Sequence, residues 1–273
     1  MRLVLLGLPP ATNNLYAVIG NHQVLSEAGR RYHETVAAVA RRYWTGPPHQ
    51  GPFAVLVTYH LGGYDRDVDG SHKAILDGFS PRRIDASRSP IIWEDDRQVV
   101  LFAARKVRTS SLPYVSVVVR PLRAVPAFRP LARPAGALSF ATSLIPPSTN
   151  NTYTPSARFR RKTVAARDAT AAYAAGFARL APGGKPFRGG VRLRIRYGFI
   201  ADRRDVDGSH KLLLDAARGI LWDDDRQLVS FTASKARLDP GRTPVIMGNA
   251  WDVPPLGAPP KARRQWRVAG PRP

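Results

Sequence analysis

The chain has 273 residues, of which 42 are Lys or Arg and 20 are Asp or Glu, so its formal net charge at pH 7 is +22. This length accommodates two domains, and a hydrophobic fraction of 44% is sufficient for a globular core. Because the chain contains no cysteine, disulfides, thiolate catalysis and cysteine-ligated zinc sites are excluded. The positive charge indicates a polyanionic partner, and nucleic acid is the commonest. An arginine-rich composition inherited from GC-rich DNA is the alternative.

The chain begins with the apolar run MRLVLLGL. This run is too short for a secretory signal or a membrane span, and no basic amphipathic helix suited to a lipid surface is evident. We therefore expect a cytoplasmic protein, associated with the nucleoid, that has no membrane partner.

Helices and strands are expected to alternate along the first half of the chain. Residues 26–44 follow a Pro-Pro-x-x-Asn-Asn turn and carry apolar residues at helical spacing, with Ser26 as the expected N-cap. A second, short helix should follow the RDVD sequence at 66–69. Apolar, β-branched runs predict three strands, at 53–61, 99–107 and 114–120. The pattern is that of an α/β domain.

The second half repeats the first. Three landmarks recur in the same order: LPPATNNLY at 8–16 as IPPSTNNTY at 145–153, RDVDGSHK at 66–73 unchanged at 204–211, and WEDDRQ at 93–98 as WDDDRQ at 222–227. The last two landmarks are nine residues further apart in the first copy, which places an insertion near 80–90. Such ordered recurrence predicts a tandem duplication.

The repeat predicts equivalent elements and sets the expected domain boundaries. The helix of the second copy should occupy 163–180, and its strands 191–199, 228–236 and 244–248. Four segments follow: a first copy at 1–122, a linker rich in Pro and Arg at 123–140, a second copy at 141–252, and a disordered basic tail at 253–273. Each copy should form a small mixed sheet with packed helices.

The scarce carboxylates are concentrated in the repeated motifs. Asp67 and Asp69 are two residues apart, a spacing that on a strand directs both side chains to one face, and the same holds for Asp205 and Asp207. The acidic turn supplies further carboxylates, namely Asp95, Asp96, Asp224 and Asp225. Clustered carboxylates in so basic a chain require a counter-cation, and Mg²⁺ is the usual ion for oxygen ligands. With a lysine nearby, such a site suits phosphodiester hydrolysis.

Each of these residues also has a structural interpretation. The paired aspartates could cap the following helix, and the acidic turn could be a solvated surface feature. Lys73 and Asp77 are four residues apart on that helix, as are Lys211 and Asp215, so these aspartates are expected to pair with lysine rather than with metal.

Other residues of the motifs receive simpler interpretations. We expect His72 and His210 at the surface or in contact with phosphate, because each lies beside a lysine that faces elsewhere. Trp93 and Trp222 should be core residues beneath the acidic turn. Tyr64 and Phe199 are interpreted as aromatic residues at strand ends, with a wedge between bases at a DNA branch as the alternative.

In this arrangement the sequence resembles the RusA family of Holliday-junction resolvases. The family pattern comprises a Pro-Pro-x-x-Asn opening, a D-x-D-N-x-x-K-x-x-x-D helix motif, and a D-D-x-Q turn before a strand. The matching residues are Pro9, Pro10, Asn13, Asp67, Asp69, Lys73, Asp77, Asp95, Asp96 and Gln98 in the first copy, and Pro146, Pro147, Asn150, Asp205, Asp207, Lys211, Asp215, Asp224, Asp225 and Gln227 in the second. The resemblance covers both copies.

The resemblance implies a small α/β domain that dimerises and cuts branched DNA with Mg²⁺, for which Mn²⁺ can substitute. It implies metal ligation within each copy, by Asp67, Asp69 and Asp96 with Lys73 as a catalytic residue in the first, and by Asp205, Asp207 and Asp225 with Lys211 in the second. Asp95, Asp224, Asp77 and Asp215 are secondary acidic residues. A tandem copy then corresponds to the family dimer fused in one chain, an intrachain pseudo-dimer that is monomeric, with further self-association left open.

Two departures from the family pattern affect the expected activity. The Asn after the second Asp is replaced by glycine, at Gly70 and Gly208, and the nine-residue insertion could displace Asp96. Because only the first copy carries the insertion, we expect the second copy to be the more intact active site. A branched-DNA binding protein with one or both sites inactive is the alternative function, and an RNA nuclease or RNA-binding module is a third.

Basic residues near the motifs and on the strands are the expected DNA contacts. They are Arg66, Arg204, Lys106, Lys235, Arg192, Arg194 and Arg196. Neutralisation of phosphates by these side chains predicts an affinity for DNA that falls steeply with salt.

Overall fold

The computed structural model describes most of the chain. The described residues are 1–19, 22–63, 66–68, 70–80, 89–147, 152–154, 161–181, 187–200, 206, 210–254 and 256–257. The expected tail beyond residue 257 lies outside them. Among the described residues, no helix is both long enough and apolar enough to cross a membrane.

The described residues of the first half form three helices and six strands. In chain order these are β1 (Arg2–Leu6), α1 (Thr12–Leu15), β2 (Tyr16–Ile19), β3 (His22–Leu25), α2 (Glu27–Tyr43), β4 (Phe53–Leu61), α3 (His72–Phe79), a 3₁₀ turn (Asp96–Gln98), β5 (Val99–Arg108) and β6 (Tyr114–Pro121). The second half contains β7 (Leu138–Thr142), β8 (Tyr153–Thr154), β9 (Arg161–Lys162), α4 (Val164–Leu180), β10 (Gly190–Phe199), α5 (His210–Ala217), a 3₁₀ turn (Asp225–Gln227), β11 (Leu228–Arg237) and β12 (Val245–Val253).

The α/β class predicted from the sequence is confirmed, as are the helices and strands predicted within each half. The predicted N-cap of α2 is also present, since the Ser26 hydroxyl accepts a hydrogen bond from the Gly29 N–H at 3.0 Å. Elements that the sequence analysis did not predict are the edge strands β1 and β7 and the short hairpins β2–β3 and β8–β9. Strand β7 begins at Leu138, within the segment expected to be linker.

One eight-stranded sheet runs through both halves, in the order β1-β6-β4-β5-β11-β10-β12-β7. Strand β4 is parallel to β5, and β10 is parallel to β11, while β5 and β11 pair antiparallel at the centre. Read from each edge inward, corresponding strands of the two halves occur in the same order. The antiparallel central pair therefore relates the two halves by an approximate two-fold axis.

The helices cover one face of this sheet, which we call the inner face. Inward side chains of the strands are apolar and buried, as in Val191, Leu193 and Ile195 of β10. Phe177 of α4 packs edge-on against Phe140 of β7, with ring centroids 5.1 Å apart. Burial of these apolar side chains is the main contribution to the stability of the fold.

The opposite face of the sheet, which we call the open face, carries the alternate side chains and no helix among the described residues. The segment after β6 crosses part of it in the second half. Asn249 donates from its side-chain amide to the Ala132 carbonyl at 2.9 Å, and the Phe128 backbone N–H bonds to the Arg237 carbonyl at 2.9 Å. Gly198 permits this approach, because a Cβ there would lie only 2.8 Å from the Phe128 ring.

His33 on α2 makes stability dependent on pH. It is 4% exposed, and neither ring nitrogen has a hydrogen-bond partner among the described residues. Burial, helped by the charge of Lys73, lowers the pKa of His33 from 6.5 to about 4. The unfolded chain therefore binds more protons between pH 6.5 and 4, so stability falls as pH falls through this range. From pH 7 to 5 the expected loss at this site is about 2 kcal/mol.

We expect His33→Phe to reduce that loss, because the variant has no imidazole to protonate in the unfolded state. Urea unfolding of both proteins at pH 7 and pH 5 measures the difference within each protein, which removes any constant effect of the substitution. Equal losses in the two proteins would show that His33 does not cause the pH dependence.

Candidate active site

The parallel pairing of β4 with β5 separates two aspartates that were expected in one site. Lys106, near the carboxyl end of β5, donates from Nζ to the carbonyl oxygen of Arg66 at 2.9 Å, which fixes the adjacent Asp67 at that end of the strand. Asp96 lies in the turn that enters β5 at its other end, Val99. The strand from Val99 to Lys106 extends about 23 Å. The expected grouping of Asp67 with Asp96 around one ion is therefore wrong.

Asp67 lies instead near Asp225, in the other half of the chain. Because β5 and β11 are antiparallel, the carboxyl end of β5 lies beside the amino end of β11, which the second acidic turn precedes. The ammonium group of Lys106 that binds the Arg66 carbonyl also donates to the carbonyl of Arg226, next to Asp225. One lysine thus joins the loop after β4 to the acidic turn of the second half.

The Asp225 carboxylate is held in an environment that disfavours its negative charge. The side chain is 5% exposed, and its Oδ1 accepts a hydrogen bond from Trp222 Nε1 at 2.9 Å. Burial has the largest effect on the pKa of Asp225 and raises it. The Trp222 hydrogen bond and the charge of Lys211 lower this pKa, whereas the negative charge of Asp67 raises it, and the net shift is upward. Two carboxylates from different halves are therefore close enough to repel each other, which favours a cation between them.

An equivalent connection exists on the other side of the central strand pair. Lys235 of β11 donates from Nζ to the carbonyl of Arg97, beside the buried Asp96.

Four expected site residues lie outside the described residues, namely Asp69, Arg204, Asp205 and Asp207. Asp67 itself is exposed and lies in the loop that follows β4, not on a strand as the spacing suggested.

The two acidic turns have the same internal structure, which explains why only one aspartate of each is buried. Asp95 and Asp224 are N-caps that accept hydrogen bonds from backbone N–H groups two residues later, each at 2.8 Å. Gln98 and Gln227 complete capping boxes by accepting from the backbone N–H of the cap residue. Asp95 and Asp224 therefore stabilise the turns, while the next aspartate points into the protein.

The lysines and aspartates of α3 and α5 pair as their spacing predicted. Lys73 Nζ lies 3.3 Å from an Asp77 oxygen, and Lys211 Nζ lies 3.1 Å from an oxygen of Asp215. Lys162 of β9 also contacts Asp215, at 2.9 Å, a contact that no spacing in the sequence indicated. Burial raises the pKa of Asp215, but the two lysines together lower it overall. Asp77 and Asp215 thus act as partners of lysine in this structure.

His72 and His210 do not lie at the surface, so that expectation is wrong. They are 4% and 1% exposed, and their rings lie 5.1 Å apart on the inner face where the two halves meet. His72 packs against Phe102 and His210 against Phe231, each with ring centroids 4.7 Å apart. Their adjacent lysines face elsewhere, as expected, but the imidazoles face the core. The two tryptophans beneath the acidic turns, in contrast, are core residues as predicted.

The expected DNA contacts divide into three groups. Lys106 and Lys235 are 4% and 1% exposed and bind carbonyl oxygens, so their assignment to a DNA-binding surface is wrong. Arg66 is partly buried beside Asp67, and burial lowers its pKa. Apart from Arg204, which lies outside the described residues, the other three are on β10 and point to the open face of the sheet, with Arg192 and Arg194 exposed and Arg196 half-buried.

The position of these arginines separates them from the aspartates. Arg105 and Lys106 are consecutive on β5 and point to opposite faces, Arg105 to the open face and Lys106 to the aspartates. The arginines of β10 share the face of Arg105, because they alternate with the buried apolar residues of that strand. The sheet itself therefore lies between the arginines and the candidate site.

The donor chemistry of the site fits a divalent cation. Among the residues that the structure describes, no three His, Asp or Glu side chains are grouped closely enough to hold a metal ion. Asp67 and Asp225 supply hard carboxylate oxygens, the type of ligand that Mg²⁺ and Mn²⁺ prefer. A divalent ion would also remove the mutual repulsion that contributes to the raised pKa of Asp225.

Comparison with known proteins supports the family resemblance in the second half. The family model described as Endodeoxyribonuclease RusA matches residues 145–247, a region that contains α4, β10, α5, the second acidic turn and β11. No curated protein matches the chain. Residues 145–247 are thus similar to a family whose description names a DNA endonuclease.

The buried lysines should contribute strongly to stability. We expect Lys106→Met to lower the free energy of unfolding by about 2–3 kcal/mol, because it leaves two carbonyl oxygens without their charged donor. Arg105→Met on the open face is the matched control and should change stability by less than about 1 kcal/mol. Urea unfolding at pH 7 measures both. An equally small effect of both substitutions would mean that Lys106 does not hold the two halves together.

Proposed function

We propose that the protein is a metal-dependent, structure-selective endodeoxyribonuclease that resolves Holliday junctions or other branched DNA. The observation that carries this proposal is the approach of Asp67 to the buried Asp225, in a chain with a net charge of +22. Carboxylates gathered in a strongly basic protein suit a cation that acts on a phosphodiester. The RusA family match over residues 145–247 supports the same reaction and substrate class.

We further propose that each active site is shared between the two halves. The first would use Asp67 and Asp69 with Asp225, and the second Asp205 and Asp207 with Asp96. The contact of Lys106 with the Arg226 carbonyl and the contact of Lys235 with the Arg97 carbonyl support this division, since each joins one half to the acidic turn of the other. In this arrangement neither half is active alone.

These aspartates would hold Mg²⁺, or Mn²⁺ in its place, and such an ion polarises a phosphodiester oxygen and favours an attacking hydroxide. The chain's own residues would position the substrate and balance its charge. Lys211 is close enough to Asp225 to lower its pKa, so its ammonium group can stabilise negative charge that develops on the phosphate, with Lys73 as its counterpart. Trp222 holds the Asp225 carboxylate through its Nε1 hydrogen bond.

We propose that the halves, residues 1–122 and 141–252, form an intrachain pseudo-dimer joined by the 123–140 linker. The two-fold strand order and the antiparallel β5–β11 pair support this proposal. Such a protein acts as a monomer, with two sites whose spacing is fixed by one sheet. That arrangement suits the two symmetric cuts that resolve a four-way junction. The substrate implies action on nucleoid DNA in the cytoplasm.

A branched-DNA binding protein with one or both nuclease sites inactive is the second candidate. One observation favours it: Trp222 bonds to Asp225, whereas Trp93 Nε1 has no hydrogen-bond partner among the described residues. The site that uses Asp96 is therefore built differently from the site that uses Asp225, and the nine-residue insertion precedes that same turn. A single nick in each junction would identify this case.

Paired substitutions distinguish shared sites from sites within each half. We expect the double variant Asp67→Asn, Asp225→Asn to lose one of the two nicks, because both substitutions fall in one shared site. The variant Asp67→Asn, Asp96→Asn should lose both nicks, by at least about 100-fold in rate, because it removes a ligand from each site. The measurement is Mg²⁺-dependent cleavage of a four-way junction with differently labelled strands, beside linear duplex.

The reverse result, with both nicks lost in the first variant and one in the second, would show that each half contains its own site. Junction binding in Ca²⁺ serves as the control, and both variants should bind as tightly as the unsubstituted protein. Binding without cleavage by the unsubstituted protein in Mg²⁺ would overturn the nuclease assignment in favour of a binding protein.

A further inference from the structure

The open face of the sheet is basic and carries no carboxylate from its strands. The eight strands contain a single acidic residue, Asp252, which follows the open-face residue Trp251 and so alternates to the other side. The open-face positions hold six arginines, namely Arg2, Arg105, Arg120, Arg192, Arg194 and Arg196. This face therefore presents positive charge with no compensating carboxylate, although it lies away from the candidate active site.

A groove runs along this face where the two halves meet. Its lining combines basic, hydroxyl and aromatic side chains, including those of Arg105, Arg192, Arg194, Ser230, Thr232 and Trp251. These residues belong to four adjacent strands, β5, β11, β10 and β12. Three interstrand spacings give the groove a width of about 14 Å.

The strand register places charged and hydroxyl groups side by side in this groove. Arg192 lies opposite Ser230, and Arg194 lies opposite Thr232, in the parallel pairing of β10 with β11. Neighbouring strands are about 4.8 Å apart, so each arginine has a hydroxyl donor within the reach of one phosphate group. Arginine and hydroxyl side chains in this arrangement are typical contacts for a nucleic-acid backbone.

The groove also offers a planar surface for bases. The Arg194 guanidinium lies over the Trp251 ring, 5.4 Å from its centroid. Both groups are planar, and unpaired bases stack on tryptophan rings and on guanidinium planes. The bases of a duplex stack on one another, so this surface distinguishes single strands from duplex.

The segment after β6 limits the groove on one side. The Arg129 carbonyl accepts a hydrogen bond from Arg196 Nη1 at 2.6 Å, and the Ala132 carbonyl accepts one from Asn249. Arg196 is therefore already engaged, whereas Arg192 and Arg194 remain exposed. Among the described residues, no other segment was found to hydrogen-bond to Arg192 or Arg194, and both side chains are exposed.

We propose that this groove binds a single-stranded segment of nucleic acid, with phosphates at Arg105, Arg192 and Arg194 and bases stacked against Arg194 and Trp251. The side chains of this surface point away from the shared aspartate sites, because Arg105 faces the open side of the sheet and Lys106 faces the aspartates. The proposal extends the function beyond cleavage and does not depend on it.

The test is binding of a fluorescein-labelled 15-nucleotide oligothymidylate in EDTA, measured by anisotropy from 50 to 300 mM KCl. We expect Arg192→Gln, Arg194→Gln to weaken binding at least about 10-fold and to reduce the salt slope by about 1.4, since two phosphate contacts are lost. Trp251→Ala should weaken binding about 5-fold or more through lost stacking. A hairpin duplex with the same number of nucleotides should be affected less than 3-fold by either variant.

The matched control is Arg41→Gln, Arg42→Gln, which removes the same charge from exposed positions of α2. It should change single-strand binding less than 3-fold. Equal losses in both double variants would show that only net charge matters, and equal losses for duplex and single strand would overturn the single-strand assignment. The binding measurement in EDTA contains no free metal, so its outcome does not depend on whether the protein cleaves junctions. Thermal melting of each variant checks that it is folded.

Discussion

The antiparallel pairing of β5 with β11 sets the position of every other element. It merges the strands of both halves into one sheet and relates the halves by an approximate two-fold axis. In the first half β4 runs parallel to β5, and in the second half β10 runs parallel to β11. The loop after β4 and the acidic turn before β5 therefore lie at opposite ends of these strands. Only the antiparallel partner returns an acidic turn to the loop, so the site that we propose requires both halves.

Buried polar groups stabilise this central pair and would be costly to leave unpaired. Lys106 and Lys235 have their ammonium groups in the interior, where carbonyl oxygens of the other half accept their hydrogen bonds. Between them, the imidazoles of His72 and His210 pack against each other and against two phenylalanines. Loss of a partner for a buried charge costs far more than the net value of the bond itself, so these contacts fix the relative position of the halves.

The sheet also separates two kinds of charge. Lys106 points to the inner face, toward the loop and the turn that carry Asp67 and Asp225, whereas the strands present six arginines on the open face. Alternation along β5 produces this separation within two consecutive residues, since Arg105 and Lys106 point in opposite directions. A chain whose net charge is strongly positive can thus keep a locally acidic site for a cation and still attract phosphate elsewhere.

The helices, the central strands and the repeated motifs could be predicted from the sequence, because periodicity, capping and self-similarity are local signals. Local sequence patterns predicted the N-cap at Ser26, the lysine–aspartate pairs of α3 and α5, and the burial of Trp93 and Trp222. Edge strands such as β1 were not, since five residues carry too little pattern. Which aspartates approach each other and which lysines are buried could not be predicted without the tertiary structure. Both depend on the antiparallel pairing of β5 with β11, which is a long-range contact. The residues within either strand do not indicate the direction of this pairing.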